Sequence, residues 1–397
     1  MTRCTCATAS PSVDDALATL IAAAAPLDTV EVPLRDALGR LLARTLRAPR
    51  AYPPFNRAMM DGYAARHADL AGKAALRIRL ATDADQSAPA PLPTGHCAPI
   101  ATGAPLPPGA DVVLRRERVS VAANTLVATE PVRPWADCET VGAVTMPGAP
   151  VLSAGTALQP GHLSLAARHG LASLPVVRTP RVAALVTGDE LTPPGQSCPP
   201  GGIHDSNSIL LQATLSQLGA AVMGPDAPMA DHLPTLEATV RRQLPDADIV
   251  CIVGGSSVGN RDFGREILAR VGTPLFEGIA MRPGRPTSAA VTPDGKLVLA
   301  LPGRPAALLT ALHALLRPLL DAMQGKAALK PPPSARLTVP LPATPDTRYL
   351  PVRFDCRDGI WWALAQEVEI ERADALAVIP AHMEMAANAP VEVIPLS

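Results

Sequence analysis

Between residues 180 and about 325 the chain alternates short apolar runs with amphipathic segments, and this alternation restricts the possible folds more than any other feature. The runs RVAALV, AAVM, DIVCIV and KLVLAL have the length and composition of buried strands. The segments between them repeat apolar residues at helical spacing, and SNSILLQATLSQLG has Asp205 or Ser206 as a cap and Gly219 as a stop. Strands that alternate with helices predict a parallel, doubly wound sheet.

Further helices are predicted in this region and before it. LPTLEATVRRQL, FGREILARVG and one long helix, AALLTALHALLRPLLDAMQG, have helical spacing of apolar residues. Nearer the amino terminus, helices are predicted over residues 11–25, with Ser12 as cap, and over residues 34–46. Another is predicted over residues 161–170, where Gly170 suits the position just past a helix end.

Two other regions have the pattern of β structure. Residues 74–135 alternate runs such as LRIRL and DVVLRRERVSV with proline and glycine, which is typical of a small β-rich module. The segment KPPPS, residues 330–334, is predicted to be a hinge, and short strands such as RLTVPL and APVEVIPL follow it. The last part of the chain is therefore predicted to be a small β domain.

Composition bounds the class of protein. A chain of 397 residues with 48% apolar residues is long enough for about two to four domains. The formal net charge is −1 and no long basic stripe occurs, which disfavours nucleic acid as a partner. Seven irregularly spaced cysteines favour a reducing compartment. The run IAAAA is too short to cross a bilayer and lacks a basic signal region before it, so we expect a cytoplasmic protein without membrane contact.

Three of the predicted strands end in unusual turns. TGDE occupies residues 187–190, GGSSVGNRD residues 254–262 and LPGRPAA residues 301–307. MRPGRP, residues 281–286, lies between the last two. Ligands of open parallel sheets bind outside the carboxyl ends of the strands, so we expect these turns to converge at one edge.

The residue types in these turns suit an anionic ligand. Glycines let the backbone approach a phosphate closely, and serine hydroxyls add donors. The guanidinium groups of Arg282 and Arg285 neutralise such a charge. Carboxylates beside a phosphate point to Mg²⁺. The glycines, serines and carboxylates concerned are Gly254, Gly255, Ser256, Ser257, Asp189, Glu190 and Asp262.

A less specific interpretation stays open for each turn. A single glycine-rich turn is most often only a turn, and adjacent carboxylates are most often solvated. Nearly all the basic residues are arginine, so Arg282 and Arg285 also fit a bias in composition. No motif of a P-loop, a zinc protease or a serine hydrolase occurs. Three unusual turns on one predicted sheet nevertheless favour a binding site over three separate turns.

Seven motifs, taken in order, give the chain a family resemblance. PPFNRAMMDGYAAR, ATGAPLPPGADVVLRRE, VTGDEL, HDSN, GGSSVGNRD, MRPGRP and LPGRPAA follow one another as in the molybdopterin molybdenumtransferases, which are related to the carboxyl-terminal part of gephyrin. The match runs through nearly the whole chain, and seven ordered motifs are far more specific than any one of them.

The resemblance implies an α/β multidomain fold of four parts. The doubly wound parallel-sheet domain is joined to a β-rich inserted domain, an elongated helical linker domain and a carboxyl-terminal β-barrel. The implied bounds are residues 1–50 and 140–178 for the discontinuous linker and dimerisation domain, 51–139 for the inserted domain, 179–328 for the molybdopterin-binding domain and 334–397 for the barrel.

The resemblance also implies a reaction and partners. Proteins of this family insert molybdenum from molybdate into adenylylated molybdopterin, with Mg²⁺, and release AMP in the last step of molybdenum cofactor biosynthesis. They act as homodimers, with a cleft between the α/β domain of one subunit and the inserted domain of the other. A molybdopterin adenylyltransferase and molybdoenzyme-specific chaperones are further implied partners.

Residue roles follow from the matching motif positions. The resemblance implies Asp61, Thr102 and Glu190 as catalytic residues, and Glu117 also matches. Asp262 and Glu190 would hold Mg²⁺, and three prolines would shape the molybdate edge. The substrate-binding positions are Gly188, Asp189, Asp205, Ser206, Gly254, Gly255, Ser256, Ser257, Arg282 and Arg285, and the prolines are Pro283, Pro302 and Pro305.

The chain departs from the family pattern at several positions. Ala143 and Val144 stand where the family has two carboxylates, and residues 371–374 read ERAD in place of a Gly-Ser-Gly turn. Two alternatives therefore stay open beside the enzyme. One is a divergent paralogue that binds the nucleotide-pterin or scaffolds cofactor-pathway proteins without turnover, and the other is a different phosphate-binding enzyme on the same fold. The remaining departures are Asn56, Ala58, Arg282, Arg285, Arg304, Asp231 and His232.

Overall fold

The structure, a computed structural model, describes residues 10–79, 90–255, 263–326, 335–365 and 368–396. The chain divides into two compact units. Unit 1 comprises Met1–Val30 with Val177–Ser397, and unit 2 comprises Glu31–Val176. Ser256, Ser257, Asp262 and the proline hinge at residues 330–334 lie outside the described residues.

The helices are named here in chain order. Short 3₁₀ turns and one π-helical segment accompany the α-helices. The α-helices are α1 (Val13–Ala23), α2 (Pro160–Arg168), α3 (Asn207–Gln217), α4 (Leu233–Gln243), α5 (Phe263–Val271), α6 (Pro305–Ala311) and α7 (Arg317–Gln324). The 3₁₀ turns are Leu34–Asp36, His67–Lys73, Arg116–Arg118 and Ile370–Arg372, and the π-helical segment is Leu312–Leu316.

The strands are named in the same way. Up to the end of unit 2 they are β1 (Thr29–Pro33), β2 (Leu46–Arg47), β3 (Arg57–Ala58), β4 (Gly62–Ala65), β5 (Leu76–Ile78), β6 (His96–Ile100), β7 (Val112–Arg115), β8 (Val119–Ala122), β9 (Thr125–Ala128), β10 (Cys138–Glu139), β11 (Pro150–Leu152) and β12 (Ser173–Val177). The later strands of unit 1 are β13 (Arg181–Thr187), β14 (Leu191–Thr192), β15 (Ile203–His204), β16 (Ala221–Met223), β17 (Ile249–Gly254), β18 (Thr273–Glu277), β19 (Met281–Arg282), β20 (Ser288–Val291), β21 (Leu297–Leu301), β22 (Ala335–Leu337), β23 (Thr347–Arg357), β24 (Ile360–Leu364), β25 (Ala375–Ile379) and β26 (Pro390–Pro395).

A six-stranded sheet forms the centre of unit 1, in the order β16-β13-β17-β21-β20-β18. Alternate residues of β13 enter two separate cores, as expected for a strand covered on both faces. Val182, Ala184 and Val186 pack with residues of α1, α3 and the α6–α7 region. Ala183 and Leu185 pack with α4 and α5 on the other face. The predicted doubly wound arrangement is confirmed in this respect.

The prediction that this sheet is parallel throughout was wrong. β16, β13, β17 and β21 are parallel to their neighbours, but β20 pairs antiparallel with both β21 and β18. The link from β20 to β21 is a short turn, and parallel strands need a crossover of a dozen or more residues. The two added strands therefore form an antiparallel edge, and the sheet is mixed.

The predicted long helix is interrupted in its middle. α6 continues into the π-helical segment Leu312–Leu316 and then into α7, where a proline occupies the first turn. Proline has no N–H for a regular helical bond, which accounts for a local change of helix type at this point. Within the described part of the chain, one helical stretch, Pro305–Gln324, is apolar and long enough to cross a membrane, and most of it is buried inside the protein.

The carboxyl-terminal strands close into a five-stranded barrel. The pairing order β23-β24-β22-β26-β25 returns to β23, and β19 pairs with β23 outside this circuit. Ala335, Val352 and Ile379 are among the residues that fill the barrel interior. The predicted small β domain is confirmed.

Unit 2 is built on a second six-stranded sheet, in the order β7-β4-β6-β5-β9-β8. Two short pairs, β10 with β3 and β11 with β2, accompany it. Gly62 in β4 lies directly against β7, where a side chain would collide with the Leu114 carbonyl oxygen. The predicted β-rich module is therefore present, and Gly62 permits the close approach of its strands.

The predicted helix over residues 34–46 was wrong. Only a 3₁₀ turn, Leu34–Asp36, forms there, and Leu41 and Leu42 make isolated β-bridges with Ala157 and Val176. Leu42 N–H also donates to the Thr156 carbonyl at 2.9 Å. Hydrogen bonds to distant parts of unit 2 replace those of a helix, so tertiary pairing overrides the helical spacing of the leucines.

The helix ends predicted elsewhere are confirmed. Ser12 caps α1, with its hydroxyl accepting a hydrogen bond from Asp15 N–H at 3.1 Å. Gly170 and Gly219 follow α2 and α3 with positive φ angles. α1 packs in the core of the α/β sheet, where Val13 and Leu20 are buried.

Candidate functional site

Three parallel strands of unit 1 end side by side at one cleft. β13 ends at Thr187, β17 at Gly254 and β21 at Leu301. The cleft has a volume of about 770 Å³, within the usual range for small-molecule sites. Its lining residues are Thr187, Glu190, Leu191, Ile203, His204, Ser206, Asn207, Asp231, Gly254, Gly255, Met281, Arg282, Pro283, Gly284, Arg285, Pro286, Pro302, Gly303, Arg304, Pro305 and Ala307.

The turns expected at one edge therefore meet in the structure. Glu190, Ser206, Gly254, Gly255, Arg282 and Arg285 line the cleft, as do Pro283, Pro302 and Pro305. Gly188, Asp189 and Asp205 are not among the lining residues, although each adjoins one of them in the chain. The shared edge follows from the parallel strands, because their carboxyl ends all point the same way.

Glycine at 254 is required by the packing of the cleft floor. Gly254 has φ +98°, and a side chain there would collide with the Thr187 carbonyl oxygen of the neighbouring strand. A Cβ atom on Gly303 would lie 3.5 Å from Gly254 Cα, so the second and third turns are nearly in contact. The absence of side chains leaves backbone as the floor, and backbone N–H groups suit an anion.

Two turns supply positively charged side chains to the cleft. Arg282 and Arg285 come from MRPGRP, whose Arg282–Pro283 bond is cis, and Arg304 comes from LPGRP. Arg282 Nε donates to Asp346 Oδ2 at 2.9 Å, and Asp346 is buried. Guanidinium groups are the side chains best suited to bind phosphate-like anions.

Two carboxylates line the same cleft. Asp231 accepts a hydrogen bond from the Thr187 hydroxyl at 2.6 Å, and its N–H donates to Asp189 Oδ1 at 3.0 Å. Glu190 folds back over Gly188, with both carboxylate oxygens 3.0 Å from where a Gly188 side-chain carbon would lie. Asp189 thus orients the loop that carries Asp231, while Glu190 and Asp231 supply charge to the cleft.

The HDSN segment enters the cleft at the start of α3. Asp205 is almost completely buried, and its Oδ1 accepts a hydrogen bond from Ser208 N–H at 3.0 Å, so this carboxylate caps the helix. Ser206 and Asn207 line the cleft beside it. Asn207 Nδ2 donates to the Gly303 carbonyl at 2.6 Å, which ties α3 to the LPGRP turn.

The donor set of the cleft fits Mg²⁺ in part. No group of three or more His, Cys, Asp or Glu side chains able to hold a metal occurs among the described residues. Mg²⁺ usually binds one or two carboxylates together with substrate phosphates, so a smaller set is sufficient. Glu190 and Asp231 are carboxylates of this kind, and Asp262, expected as a third, lies outside the described residues.

The other expected catalytic residues, Asp61 and Thr102, form a pair in unit 2. The Thr102 N–H and hydroxyl both donate to Asp61 Oδ1, at 2.7 and 2.8 Å. These two hydrogen bonds lower the pKa of Asp61 below its ordinary value, and nearby Arg116 adds to the effect. Asp61 therefore remains ionised at neutral pH, and both side chains are exposed. Glu117 is exposed in the turn Arg116–Arg118.

The departures from the family pattern in unit 2 lie beside a group of exposed apolar side chains. Two segments, residues 52–59 and 137–145, are joined by backbone hydrogen bonds such as Gly142 N–H to the Pro53 carbonyl. Val144, at a lost carboxylate position, is 54% exposed. The other exposed apolar residues on or next to these segments are Phe55, Met59, Met60, Val141 and Met146.

The ERAD segment, residues 371–374, which stands where the family has a Gly-Ser-Gly turn, lies next to the barrel. Glu371 lies in the 3₁₀ turn Ile370–Arg372, and Asp374 Oδ2 accepts a hydrogen bond from Phe354 N–H at 2.8 Å. This turn is therefore tied to the barrel wall. Cys97, Cys138, Cys198, Cys251 and Cys356, the cysteines in the described ranges, are all free thiols.

A mixed α/β sheet with glycine turns, guanidinium groups and carboxylates at its carboxyl edge defines a class of α/β proteins that bind small anionic ligands. Comparison with known families narrows this class. Residues 11–170 match the family described as MoeA N-terminal region (domain I and II), and residues 183–322 match the probable molybdopterin binding domain.

Individual relatives agree with these matches. The chain is 30% identical over 352 residues to a molybdopterin molybdenumtransferase of Haemophilus influenzae, covering 87% of this chain and 85% of the relative. It is 32% identical over 308 residues to one of Nostoc sp., covering 76% and 70%. The chain belongs to the molybdopterin molybdenumtransferase family.

Solved structures show the same fold. Two crystal structures of the molybdopterin biosynthesis MoeA protein from Pyrococcus horikoshii have TM-scores of 0.85 and 0.78 to this chain. Their sequence identities are 28% and 24%, and both comparisons cover 98% of this chain and 100% of the other. The MoeA-like fold that the resemblance implied is therefore confirmed, with mixed sheets, helices and a closed five-stranded barrel near the carboxyl terminus.

Some residues in or beside the cleft could not be found from motifs. Asp346 is 64 residues from Arg282, and no pattern around it signals a binding role. Asp231 stood out in the sequence only because the family has two acidic residues near positions 231 and 232, where this chain has Asp231 and His232. Asn207 stood inside the HDSN motif, whose second and third members, Asp205 and Ser206, were the expected ligands.

Proposed function

We propose that this protein inserts molybdenum from molybdate into adenylylated molybdopterin and releases AMP, the last step of molybdenum cofactor biosynthesis. The observation that carries the proposal is the meeting of four motif-bearing turns in one cleft. Relatives that cover most of the chain carry the name molybdopterin molybdenumtransferase. The protein would accordingly be a transferase.

The proposed substrates are both anions, and the cleft matches that charge. Molybdate and the pyrophosphate bridge of adenylylated molybdopterin would meet Arg285 and Arg304, while Arg282 is held by Asp346. The glycine floor at Gly254 would let backbone N–H groups reach the phosphates. Insertion of the metal at the dithiolene requires no protein nucleophile, so charge and backbone are sufficient.

The remaining cleft residues would take supporting roles. Pro283, Pro302 and Pro305 would form a rigid edge beside the molybdate. Ser206, Ser256 and Ser257 would donate hydrogen bonds to the substrate, with Gly188, Asp189 and Asp205 shaping the turns around it. Mg²⁺ would be held by Glu190, Asp231 and Asp262 with substrate phosphates, where it would supply positive charge to the phosphate oxygens.

Asp61 and Thr102 are proposed to complete the site from a partner protomer in a homodimer. The hydrogen bonds from Thr102 fix the Asp61 carboxylate and keep it charged. The exposed apolar residues around Val144, Met59 and Met146 support a surface of unit 2 that contacts another protein chain. A second copy of this chain is the proposed occupant.

The finer domain division is also a proposal. Residues 1–50 and 140–178 would form the linker and dimerisation domain, 51–139 the inserted domain, 179–328 the molybdopterin-binding domain and 334–397 the barrel. The proposed location is the cytoplasm. It fits the free thiols and the burial of the apolar helical stretch Pro305–Gln324 inside the protein. A molybdopterin adenylyltransferase and molybdoenzyme-specific chaperones are proposed as protein partners, with no role for nucleic acid or a membrane.

The test is an assay with purified protein, adenylylated molybdopterin, molybdate and Mg²⁺ that follows AMP release. Glu190→Gln and Asp61→Asn should each reduce turnover at least about 100-fold, as expected when a charged group that acts on the reacting atoms is neutralised. Asp294→Asn is the matched control, because this exposed carboxylate lies in the turn before β21, at the other edge of the sheet. Wild-type turnover in the first two variants would remove their assigned roles.

One observation favours the alternative function, a paralogue that binds the nucleotide-pterin without turnover. Ala143 and Val144 are exposed and carry no charge where the family has two carboxylates. Tight binding of adenylylated molybdopterin without AMP release above background would support this alternative. Ala143→Glu with Val144→Asp should then restore measurable AMP release.

A further inference from the structure

Arg282 and Arg285 belong to one turn, MRPGRP, but only Arg282 has an ion-pair partner among the described residues. Its Nε donates to Asp346 Oδ2 at 2.9 Å. Arg282 lines the cleft and its side chain is 60% exposed, whereas that of Asp346 is 10% exposed. A buried carboxylate therefore holds one nitrogen of a guanidinium group that a ligand in the cleft can reach.

Backbone pairing of two strands brings these side chains together. Arg282 ends β19 and Asp346 directly precedes β23, and the two strands pair in parallel. The Thr347 N–H donates to the Ala280 carbonyl at 3.2 Å at the start of this pairing. Since β23 belongs to the barrel, a residue of the barrel fixes a side chain of the cleft. The ion pair is thus built into the fold and does not depend on the meeting of two flexible surface side chains.

The remaining nitrogen atoms of Arg282 are available to a ligand. A guanidinium group carries N–H donors on Nε, Nη1 and Nη2. In Arg282 only Nε makes a hydrogen bond to a residue that the structure describes. The two Nη groups present parallel donors that match two oxygens of a phosphate-like anion. A guanidinium group can therefore bind a carboxylate on one side and an anion on another, which the single nitrogen of a lysine side chain cannot do in a fixed geometry.

The negative charge of Asp346 and its contact with Arg282 have opposite effects on an anionic ligand. A carboxylate beside an anion site repels the anion, so by charge alone Asp346 would weaken binding. An arginine side chain that is already held in place, however, loses less conformational freedom when it binds. A favourable effect of Asp346 on binding must therefore come from the position of the Arg282 guanidinium.

We propose that Asp346 is a positioning residue of the cleft, which holds Arg282 through Nε so that Nη1 and Nη2 bind two oxygens of a tetrahedral oxyanion of the substrates. This inference rests on the function proposed above, in which that oxyanion belongs to the substrate pyrophosphate or is molybdate. Arg282 contacts the ligand, and Asp346 acts through it. The barrel thereby contributes to the site.

The test compares two uncharged substitutions that differ in the acceptor. Asp346→Asn keeps an oxygen that accepts from Arg282 Nε, and Asp346→Leu does not, while both remove the negative charge. Inorganic pyrophosphate and molybdate are each titrated by calorimetry into wild type and both variants. Asp355→Asn and Asp355→Leu are the matched control, because Asp355 accepts from Arg357 Nε at 2.6 Å within β23 and neither residue lines the cleft.

Asp346→Leu should bind at least one of the two anions about 3- to 10-fold more weakly than Asp346→Asn, because the ligand itself must then order the arginine. Pyrophosphate as the affected probe places the substrate phosphates at Arg282, and molybdate places the metal oxyanion there. In an Arg282→Met background the two Asp346 variants should bind both anions equally. The two Asp355 variants should not differ from each other.

The AMP-release assay gives a second measurement. Asp346→Leu should have a higher KM than Asp346→Asn for the substrate whose oxyanion is affected, with kcat nearly unchanged, because ligand binding and not the chemical step is altered. Loss of the fold would instead lower the melting temperature and the amount of active protein without this division between KM and kcat. If Asp346→Leu does not fold, Asp346→Ala gives the same comparison with Asp346→Asn.

Equal affinities of Asp346→Asn and Asp346→Leu for both anions would overturn the proposal. A difference between them that persists in the Arg282→Met background would overturn it as well, since Asp346 would then act by another route. Wild type that binds neither anion would also remove this inference. Wild type that shows the expected differences in anion binding but releases no AMP would keep this inference and remove the proposed function.

Discussion

The two edges of the α/β sheet in unit 1 are built in opposite ways. At the amino edge, buried Asp248 accepts two hydrogen bonds from the guanidinium group of Arg178, at 2.8 and 2.9 Å, and a third from Arg181 N–H at 2.7 Å. Lys296 Nζ lies 3.9 Å from the same carboxylate. At the carboxyl edge, Asn207 Oδ1 has no donor among the described residues, and Arg285 and Arg304 are exposed.

This difference assigns stability of the fold to the amino edge of the sheet and the proposed binding to its carboxyl edge. Burial alone would raise the pKa of Asp248, but the hydrogen bonds from Arg178 and Arg181 lower it below its ordinary value. A buried carboxylate that is so fully paired holds the fold together. The carboxyl edge has a floor without side chains, and its Arg285 and Arg304 are exposed, as expected for the proposed binding site of a charged ligand.

The largest effect is expected at the amino edge. Asp248→Ala should lower the free energy of unfolding by about 4 kcal/mol, because it leaves the Arg178 guanidinium and the Arg181 N–H without their acceptor. Urea unfolding at pH 7 measures this loss, and Asp294→Ala, an exposed carboxylate nearby, should change stability by less than about 0.5 kcal/mol. A small effect of Asp248→Ala would show that this edge is not the stabilising one.

The sign of the pH dependence at Asp248 follows from its lowered pKa. Its contribution is complete above the ordinary pKa of an aspartate, about 4, and is lost as pH falls through the lower pKa of the folded state. The stability difference between wild type and Asp248→Ala should therefore narrow only in strong acid.

The next effect is expected at the floor of the carboxyl edge. Gly254→Ala should destabilise the protein by about 2–3 kcal/mol, because its Cβ would collide with the Thr187 carbonyl oxygen at a φ that alanine rarely adopts. Gly195→Ala is the matched control, since Gly195 has a similar φ, +86°, with no atom within 4 Å of its Cβ position. Gly195→Ala should lower the free energy of unfolding by about 1 kcal/mol. Equal losses in both variants would show that the collision with the Thr187 carbonyl oxygen is not the cause.

A third prediction concerns a buried group without a partner, in the helix behind the sheet. Burial, and to a smaller degree the charge of Arg317, lower the pKa of His313 to about 4. Neither ring nitrogen has a hydrogen-bond partner among the described residues. His313 is neutral in the folded protein, while in the unfolded chain it gains a proton below about pH 6.5.

Stability should therefore fall by about 2 kcal/mol between pH 7 and pH 5, because the unfolded state binds the extra proton. Urea unfolding at both pH values measures this change. His313→Leu removes the titrating group without removing a hydrogen bond, so it should flatten this part of the pH profile. A wild-type profile that is flat from pH 7 to pH 5 would contradict the lowered pKa.

The sequence predicted the site at the carboxyl edge of the sheet but not the ion pair at its amino edge. Continuous apolar runs such as that of β13 predicted strands buried on both faces, and the turns after them predicted a shared site. The amino edge gave no such signal, since Arg178 and Asp248 are 70 residues apart. The bond between Asn207 and Gly303 spans 96 residues and was missed for the same reason.

The errors in secondary structure have a similar physical origin. Residues 34–46 have the leucine spacing of a helix, but Leu41 and Leu42 bond to partners more than 100 residues away, and spacing along the chain cannot show this. The antiparallel edge of the sheet was missed because β18, TPLFE, contains a proline and β20, SAAV, is only four residues long. Local patterns predict an element well only where tertiary bonds agree with them.

The smallest effect on stability is expected at an exposed charge of the carboxyl edge. Arg285→Gln should change the free energy of unfolding by less than about 0.5 kcal/mol, because the side chain is exposed and no ion pair is recorded for it within the described residues. It should nevertheless weaken binding of inorganic pyrophosphate about 10-fold, since a charge-assisted hydrogen bond to the anion is lost. Calorimetric titration at two salt concentrations measures this, and Arg35→Gln, at an exposed site in unit 2, is the control. If Arg285→Gln lowers stability but keeps the affinity for pyrophosphate, Arg285 stabilises the fold and does not bind the anion. The assignment of binding to the carboxyl edge would then be wrong.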